Sequence, residues 1–231
     1  MPVVLVIAAG PGVGRAVAET FLGAGCTVAV ASRSQKLDSP KYSSYEFDAS
    51  QAKTIPTLFE KVKKDVGIPS VVVYNVYKNG DRSTFDFDEL ETFEKGLHAN
   101  TVLFVAASRV AVDSFDTLVA QGKLGPEGAT LIYIGNICNE AAFPGFMTMM
   151  MGKAASANFI DYMANRALKD KPYSFYYADE RDPNRRPMYQ GATPQPHVDE
   201  YLKLAQEPKQ LPWQHTFVKG KGYVSFPRMV N

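Results

Sequence analysis

The chain predicts an α/β protein, a single domain on a doubly wound parallel sheet with helices on both faces. Three observations carry that. Short β-rich apolar runs alternate with helical patterns along most of the chain, as right-handed βαβ crossovers require. One run, "SVVVYNV" at Ser70 to Val76, is apolar without alternation, as a strand covered on both faces must be. The length, 231 residues, suits one domain with room for a sizeable core.

In order, Val3 to Ala8 reads as the first strand, breaking at glycine, and Gly14 to Gly23 as an amphipathic helix. Cys26 to Ser32 and Ser44 to Asp48 are the second and third strands. Ile55 to Val66 has helical spacing, with Leu58, Val62 and Val66 on one face. After the fourth strand at Ser70 to Val76, a long helical pattern runs from about Asp88 to Ala120. Ala129 to Gly135 is a strand, Thr148 to Leu168 a helix and Tyr173 to Asp179 a sixth strand. Residues 180–196, "ERDPNRRPMYQGATPQP", are proline-rich and charged, and predict a mobile loop on the substrate side of the cleft. Residues 197–231 predict a short helix, His197 to Gln206, and a tail that is irregular or one edge strand.

Composition narrows the function classes. The chain is 45% hydrophobic and 21% charged, an ordinary globular mixture. With 25 basic against 24 acidic side chains it shows no electrostatic preference for nucleic acid or anionic membrane. Cys26 and Cys138 are too few for a disulfide framework and lack metal-ligand company, which favours a reducing compartment. The apolar N-terminus lacks a basic region and runs straight into a glycine-rich turn, so it reads as a buried strand, not a signal peptide. No apolar run reaches the ~20 residues that span a bilayer. The expectation is a cytoplasmic protein.

"AAGPGVGRAVAE" follows the first strand and opens the first helix. Gly10, Gly12 and Gly14, with Val13 between the last two, keep the turn tight and let the backbone approach a pyrophosphate. The helix start adds free N–H groups and a favourable dipole. This Rossmann-like arrangement places ligands outside the carboxyl ends of the strands. After the second strand, Ser32 stands where an NAD-preferring site carries an acidic residue, and Arg33 and Lys36 follow. A guanidinium there pairs with a 2′-phosphate, so the expected cofactor is NADP(H).

These residues, in this order, resemble the short-chain dehydrogenase/reductase family over about the first 180 residues. Asp48 and Ala49 of "DAS" match the family's adenine-contacting stretch after the third strand. Asn75 of "VVVYNVY" matches its NNAG stretch, and Asn100 of "HANTVLFVA" its structural and catalytic asparagine. Lys153 of "GKAA" matches the lysine of its YxxxK motif. The departures are equally specific. Ala8 replaces the first glycine of TGxxxGxG, and Ile7 its threonine; Tyr74, Val76 and Tyr77 replace the rest of NNAG. Met149 falls on the catalytic tyrosine, Asn136 on the serine, and Ala178 and Asp179 on the proline-glycine pair after the sixth strand. The tail from Gln206 to Phe217 is similar to an atypical branch of the family with a glutamine-proline-tryptophan-histidine ending.

In the family the tyrosine gives a proton to the carbonyl oxygen, the serine orients that carbonyl, and the lysine both acidifies the tyrosine and binds the nicotinamide ribose. A thioether has no proton to give, so Met149 cannot replace the phenol. Ribose binding needs no tyrosine, and Lys153 is therefore read as a cofactor residue. Asn136 either donates to a carbonyl or oxyanion through its amide or caps the strand end. Met147, Met149, Met150 and Met151 are expected to floor an apolar pocket. Tyr77, Thr148, Tyr133, Tyr176 and Tyr177 are the available proton donors, and His98 is expected to be structural.

The resemblance thus implies an NADP(H)-dependent oxidoreductase with a degenerate site, reducing a carbonyl, imine or activated alkene with Asn100, Asn136 and Lys153 as its catalytic set. The alternatives are a non-catalytic NADP(H)-binding sensor or partner subunit, and a non-redox cyclase or isomerase. A homodimer is expected through helices five and six, where Ala106, Ala107, Ala154 and Ala157 permit close approach.

Overall fold

The computed structural model describes residues 1–33, 41–78, 90–188 and 193–227. Lys36 and the predicted helix start at Asp88 lie outside them, as do residues 189–192 of the predicted loop.

The strands are β1 (Val3–Ile7), β2 (Thr27–Ser32), β3 (Ser43–Glu46), β4 (Val71–Tyr74), β5 (Ala129–Ile134), β6 (Tyr173–Arg181), β7 (Gln214–Val218) and β8 (Gly222–Tyr223). They form one eight-stranded sheet in the order β3-β2-β1-β4-β5-β6-β7-β8. Every neighbouring pair is parallel except β7 with β8. The order reverses between β1 and β4, the switch point of a doubly wound sheet.

Strand alternation divides the core in two. Val4 and Val6 turn to a layer formed by α1 (Val13–Gly23) and α6 (Pro194–Gln206). Leu5 and Ile7 turn to the opposite layer, which holds α2 (Ile55–Asp65), α4 (Leu103–Ala120) and α5 (Met147–Tyr162). The helix α3 (Leu90–Leu97) leads into α4 through a π-helical turn, His98–Val102. A wider turn frees backbone groups from the ladder, and here they are used. Tyr74 donates to the Ala99 carbonyl at 2.7 Å, while Tyr133 and Ser156 donate to that of Asn100 at 2.9 and 2.7 Å.

Three expectations need correction. The sixth strand continues two residues past Asp179, because β7 pairs along it as far as Arg181 opposite Val218. Glu180 and Arg181, expected in a solvated loop, are 6% and 1% exposed. The last helix begins at Pro194, and the tail holds two strands instead of one. Finally, Ala107 and Ala157 face the core, so only Ala106 and Ala154 of the four small residues remain outside it.

Candidate active site at the carboxyl ends of the strands

A cleft of about 930 Å³ opens beyond the carboxyl ends of β1 to β5, within the range of small-molecule and cofactor sites. Its floor is the turn after β1. Ala8 adopts a left-handed backbone, φ 62°, which suits glycine and strains alanine. The Ala8 carbonyl accepts from the Gly10 amide at 2.9 Å and the Asn75 Nδ2 at 3.0 Å, tying the turn to the end of β4. Gly10, Gly12, Val13 and Gly14 line the cleft. A Cβ on Gly14 would lie 2.6 Å from Ala9 Cα and 3.0 Å from Ala9 C, so the helix meets the strand as closely as backbone allows. No side chain caps α1, which leaves its first amides to a ligand.

The predicted cofactor residues on β2, β3 and β4 converge on the same space. Ser32 and Arg33 line one end, Asp48 and Ala49 stand beside them, and Asn75 closes the centre. The Asp48 carboxylate accepts from the Ser50 amide at 2.9 Å and its hydroxyl at 2.8 Å, which with the Arg33 charge holds it below the usual carboxylate range. Tyr77 and His98 also line the cleft. Tyr77 is 61% exposed, and His98, expected to be structural, borders the cleft with a buried Nε2 that has no hydrogen-bond partner among the described residues.

The predicted catalytic residues are disposed differently. Asn100 is fully buried and clamps the backbone of Lys78, accepting from its amide at 3.1 Å and donating to its carbonyl at 2.9 Å. Asn136 has two roles at once. Its Oδ1 caps the short helical turn after β5 by accepting from the Cys138 amide at 3.0 Å, and its Nδ2 lies 3.2 Å from Met149 Sδ. The positions matched to the family's serine and tyrosine therefore touch. Lys153 is 1% exposed and does not line the cleft. Its Nζ donates to the Ile134 carbonyl at 2.7 Å and lies 4.2 Å from the centre of the Tyr133 ring. Ile134 is itself a cleft residue, so the amine sits directly behind the wall. Burial pushes it down to about 7, opposed by Cys138 and Asp179.

The methionines do not share a face. Met149 is buried against Asn136, the Met150 sulfur accepts from the Phe143 amide, and Met151 is exposed. None of these lines the cleft, so the expected methionine floor is absent there. Of the other donors, Tyr133 and Tyr177 give their hydroxyl protons to backbone carbonyls of Asn100 and Asn136 at 2.9 and 2.6 Å. Tyr176 lies on the opposite sheet face and bonds to Lys209. Thr148 is buried against Gly96. Tyr77 alone among these tyrosines lines the cleft.

Sequence reasoning missed an ion network at the end of β6. Arg181 holds Asp179 and Glu140, and Arg185 also reaches Glu140. The signal was present as the mixed charges of "ADERDPNRR", which read as a solvated loop without the β7 pairing.

A family profile described as enoyl-(acyl carrier protein) reductase matches residues 7–171. A short chain dehydrogenase/reductase, dmxR12, from Cryptosporiopsis sp. (strain 8999) is 39% identical over 98% of this chain and 95% of its own. The chain belongs to the short-chain dehydrogenase/reductase family. Solved structures agree in fold. A doubly substituted short-chain dehydrogenase/reductase from Serratia marcescens superposes with a TM-score of 0.73 at 18% identity, covering 95% of this chain and 96% of the other. A tyrosine-to-phenylalanine variant of ElxO with NADPH bound gives a TM-score of 0.76 at 16% identity, covering 94% and 96%. Membership makes the cleft of this short-chain dehydrogenase/reductase the place to look for a nicotinamide dinucleotide. No helix among the described residues is long and apolar enough to cross a membrane.

Proposed function

We propose that this short-chain dehydrogenase/reductase is an NADP(H)-dependent reductase of a carbonyl, imine or activated alkene whose site has lost the family's phenol and serine. One observation carries the reading: residues from the ends of four strands, chosen for a dinucleotide, line a single cleft. The turn also leaves room for the dinucleotide. Gly10 and Gly12 face open space, Gly14 seats the helix against Ala9, and α1 begins at Val13 with no side-chain cap.

Gly12, Val13 and Gly14 would hold the pyrophosphate by their amides, and Arg33 the 2′-phosphate. Lys153 would hold the sugar once its amine leaves the Ile134 carbonyl. When bound, NADPH supplies the hydride. Asn136 turns its amide from the Met149 sulfur, a weak acceptor, toward a substrate oxygen. Met149 contributes an apolar wall and no proton. Loss of a placed acid lowers carbonyl reduction by about 10²–10⁴-fold, whereas an iminium substrate needs no proton on oxygen. On this fold, a variant of ElxO with one tyrosine changed to phenylalanine has NADPH bound.

A second reading, a non-catalytic NADP(H)-binding subunit, is favoured by the commitment of the Tyr133 and Tyr177 hydroxyls to carbonyls. The proposal extends to a homodimer in a reducing, cytoplasmic compartment, where the thiols of Cys26 and Cys138 stay free.

The test is a fluorescence titration with NADPH and NADH, followed by turnover on ketone and imine panels. Tighter binding of NADPH with imine turnover above ketone turnover supports the reductase. Binding without turnover on either panel selects the second reading, and failure to bind either dinucleotide overturns both.

A further inference from the structure

The residues that replace the proline-glycine pair carry charge into the interior beside Lys153. Asp179 is 1% exposed and shares a sheet face with Tyr177. Arg181, also 1% exposed, donates from Nε to Asp179 Oδ2 at 2.7 Å, with a second guanidinium nitrogen 2.6 Å from the same oxygen. Its remaining nitrogen pairs with Glu140, which also receives Arg185 at 2.9 Å. Two carboxylates and two guanidiniums therefore balance, and Lys153 is the odd charge.

Among the described residues the Lys153 amine has no carboxylate within ion-pair distance, and the Ile134 carbonyl is its hydrogen-bond acceptor. Ile134 pairs with Ala178, and the Gly135 amide donates to the Ala178 carbonyl at 2.7 Å. The amine and the Asp179 carboxylate thus occupy neighbouring rungs of one face. Tyr133 from β5 lies under the amine, and Cys138 from the turn after β5 and Asp179 from β6 act on it electrostatically; Tyr177, Arg181 and Glu140 stand beside Asp179 in the same cluster. Burial pushes the Cys138 thiol up to about 11, and Tyr133 and Tyr177 above their ordinary values, so these stay neutral near neutral pH. Glu140 is bound to the arginines. Asp179, which burial pushes up to about 6, is ionised above that pH and is then the anion whose field reaches the amine.

We propose that Asp179 is a positioning residue for Lys153: fixed by Arg181, its carboxylate keeps the buried amine protonated so that it can grip the dinucleotide. This rests on the reading that NADP(H) occupies the cleft. A protonated amine donates to ribose hydroxyls more strongly than a neutral one. Burial alone works against that state, and a nearby opposite charge restores it.

The experiment is NADPH affinity measured by fluorescence from pH 6.5 to 9 for the wild type, Asp179→Asn, Asp179→Glu and Lys153→Met. Wild-type affinity is expected to fall as pH rises through a midpoint near 7, where the amine loses its proton. Asp179→Asn should move that midpoint down by about one pH unit, and Asp179→Glu should restore it. Lys153→Met should bind more weakly and lose the pH dependence. A structural role would instead weaken Asp179→Asn equally at every pH, and that result overturns the proposal. Should Asp179→Asn fail to fold, a profile that persists in Lys153→Met, or a flat wild-type profile, overturns it as well. Absence of wild-type binding at any pH refutes the cofactor reading instead.

Discussion

Lys153 and Ala8 show how far single residues constrain this site. The amine of Lys153 is one carbonyl removed from the cleft, held by Ile134 and the Tyr133 ring, and its spacing from Met149 gave no hint of that. The resemblance matched Asn136 and Met149 to two separate positions, and the fold brings them within 3.2 Å of each other. The cofactor residues were legible for a local reason: glycines in a strand-to-helix turn and a cation after the second strand act where the chain puts them. Ala8 is the strained member of that turn. Its methyl sits at φ 62°, a conformation that costs a non-glycine residue about 1–2 kcal/mol. Ala8→Gly should stabilise the chain by about 1 kcal/mol after the entropy of glycine is subtracted. Calorimetry should find the melting temperature raised by about 3 °C; a lowered value would mean that the methyl packs usefully.

The elements were read correctly in order and less well at their ends. Buried strands such as β4 are evident from composition, since only a two-sided cover explains "VVVY". The end of β6 was not, because "ER" is strand only when β7 pairs with it and the Arg181 guanidinium finds buried carboxylates. Glu180 is the costlier of the two. Among the described residues its oxygens have no hydrogen-bond partner, and His197 stands 3.4 Å away on α6. Burial pushes its carboxyl up to about 7 and the His197 imidazole down, so the pair rests neutral. The folded chain holds the Glu180 proton more tightly than the unfolded chain. That stability is therefore complete below the ordinary carboxyl range and lost as pH rises through about 7. Glu180→Gln removes the titration while keeping the shape. The variant should melt above the wild type at pH 8, with the gap narrowing toward pH 4.5. A gap that is constant with pH would contradict the assignment.

At the scale of the molecule, alternation of runs predicted the sheet and its two helical layers, and the resemblance predicted where the cleft lies. Neither could place the tail, whose strands gain their register from contacts with β6 formed across the chain. On α4 and α5, Val105, Met151 and Tyr162 are exposed, as is Val102 of the π-helical turn. Exposed apolar side chains on these two helices suit the proposed association, and light scattering should give the mass of a dimer; a monomer mass would refute it. Cofactor binding turns on the cleft and on the amine behind it. Its most direct measurement is a crystal structure of the NADPH complex. The prediction is a pyrophosphate on the Gly12–Gly14 amides, with Lys153 Nζ moved from the Ile134 carbonyl to the nicotinamide ribose. A dinucleotide bound elsewhere, or one bound there while the amine stays on Ile134, would contradict it.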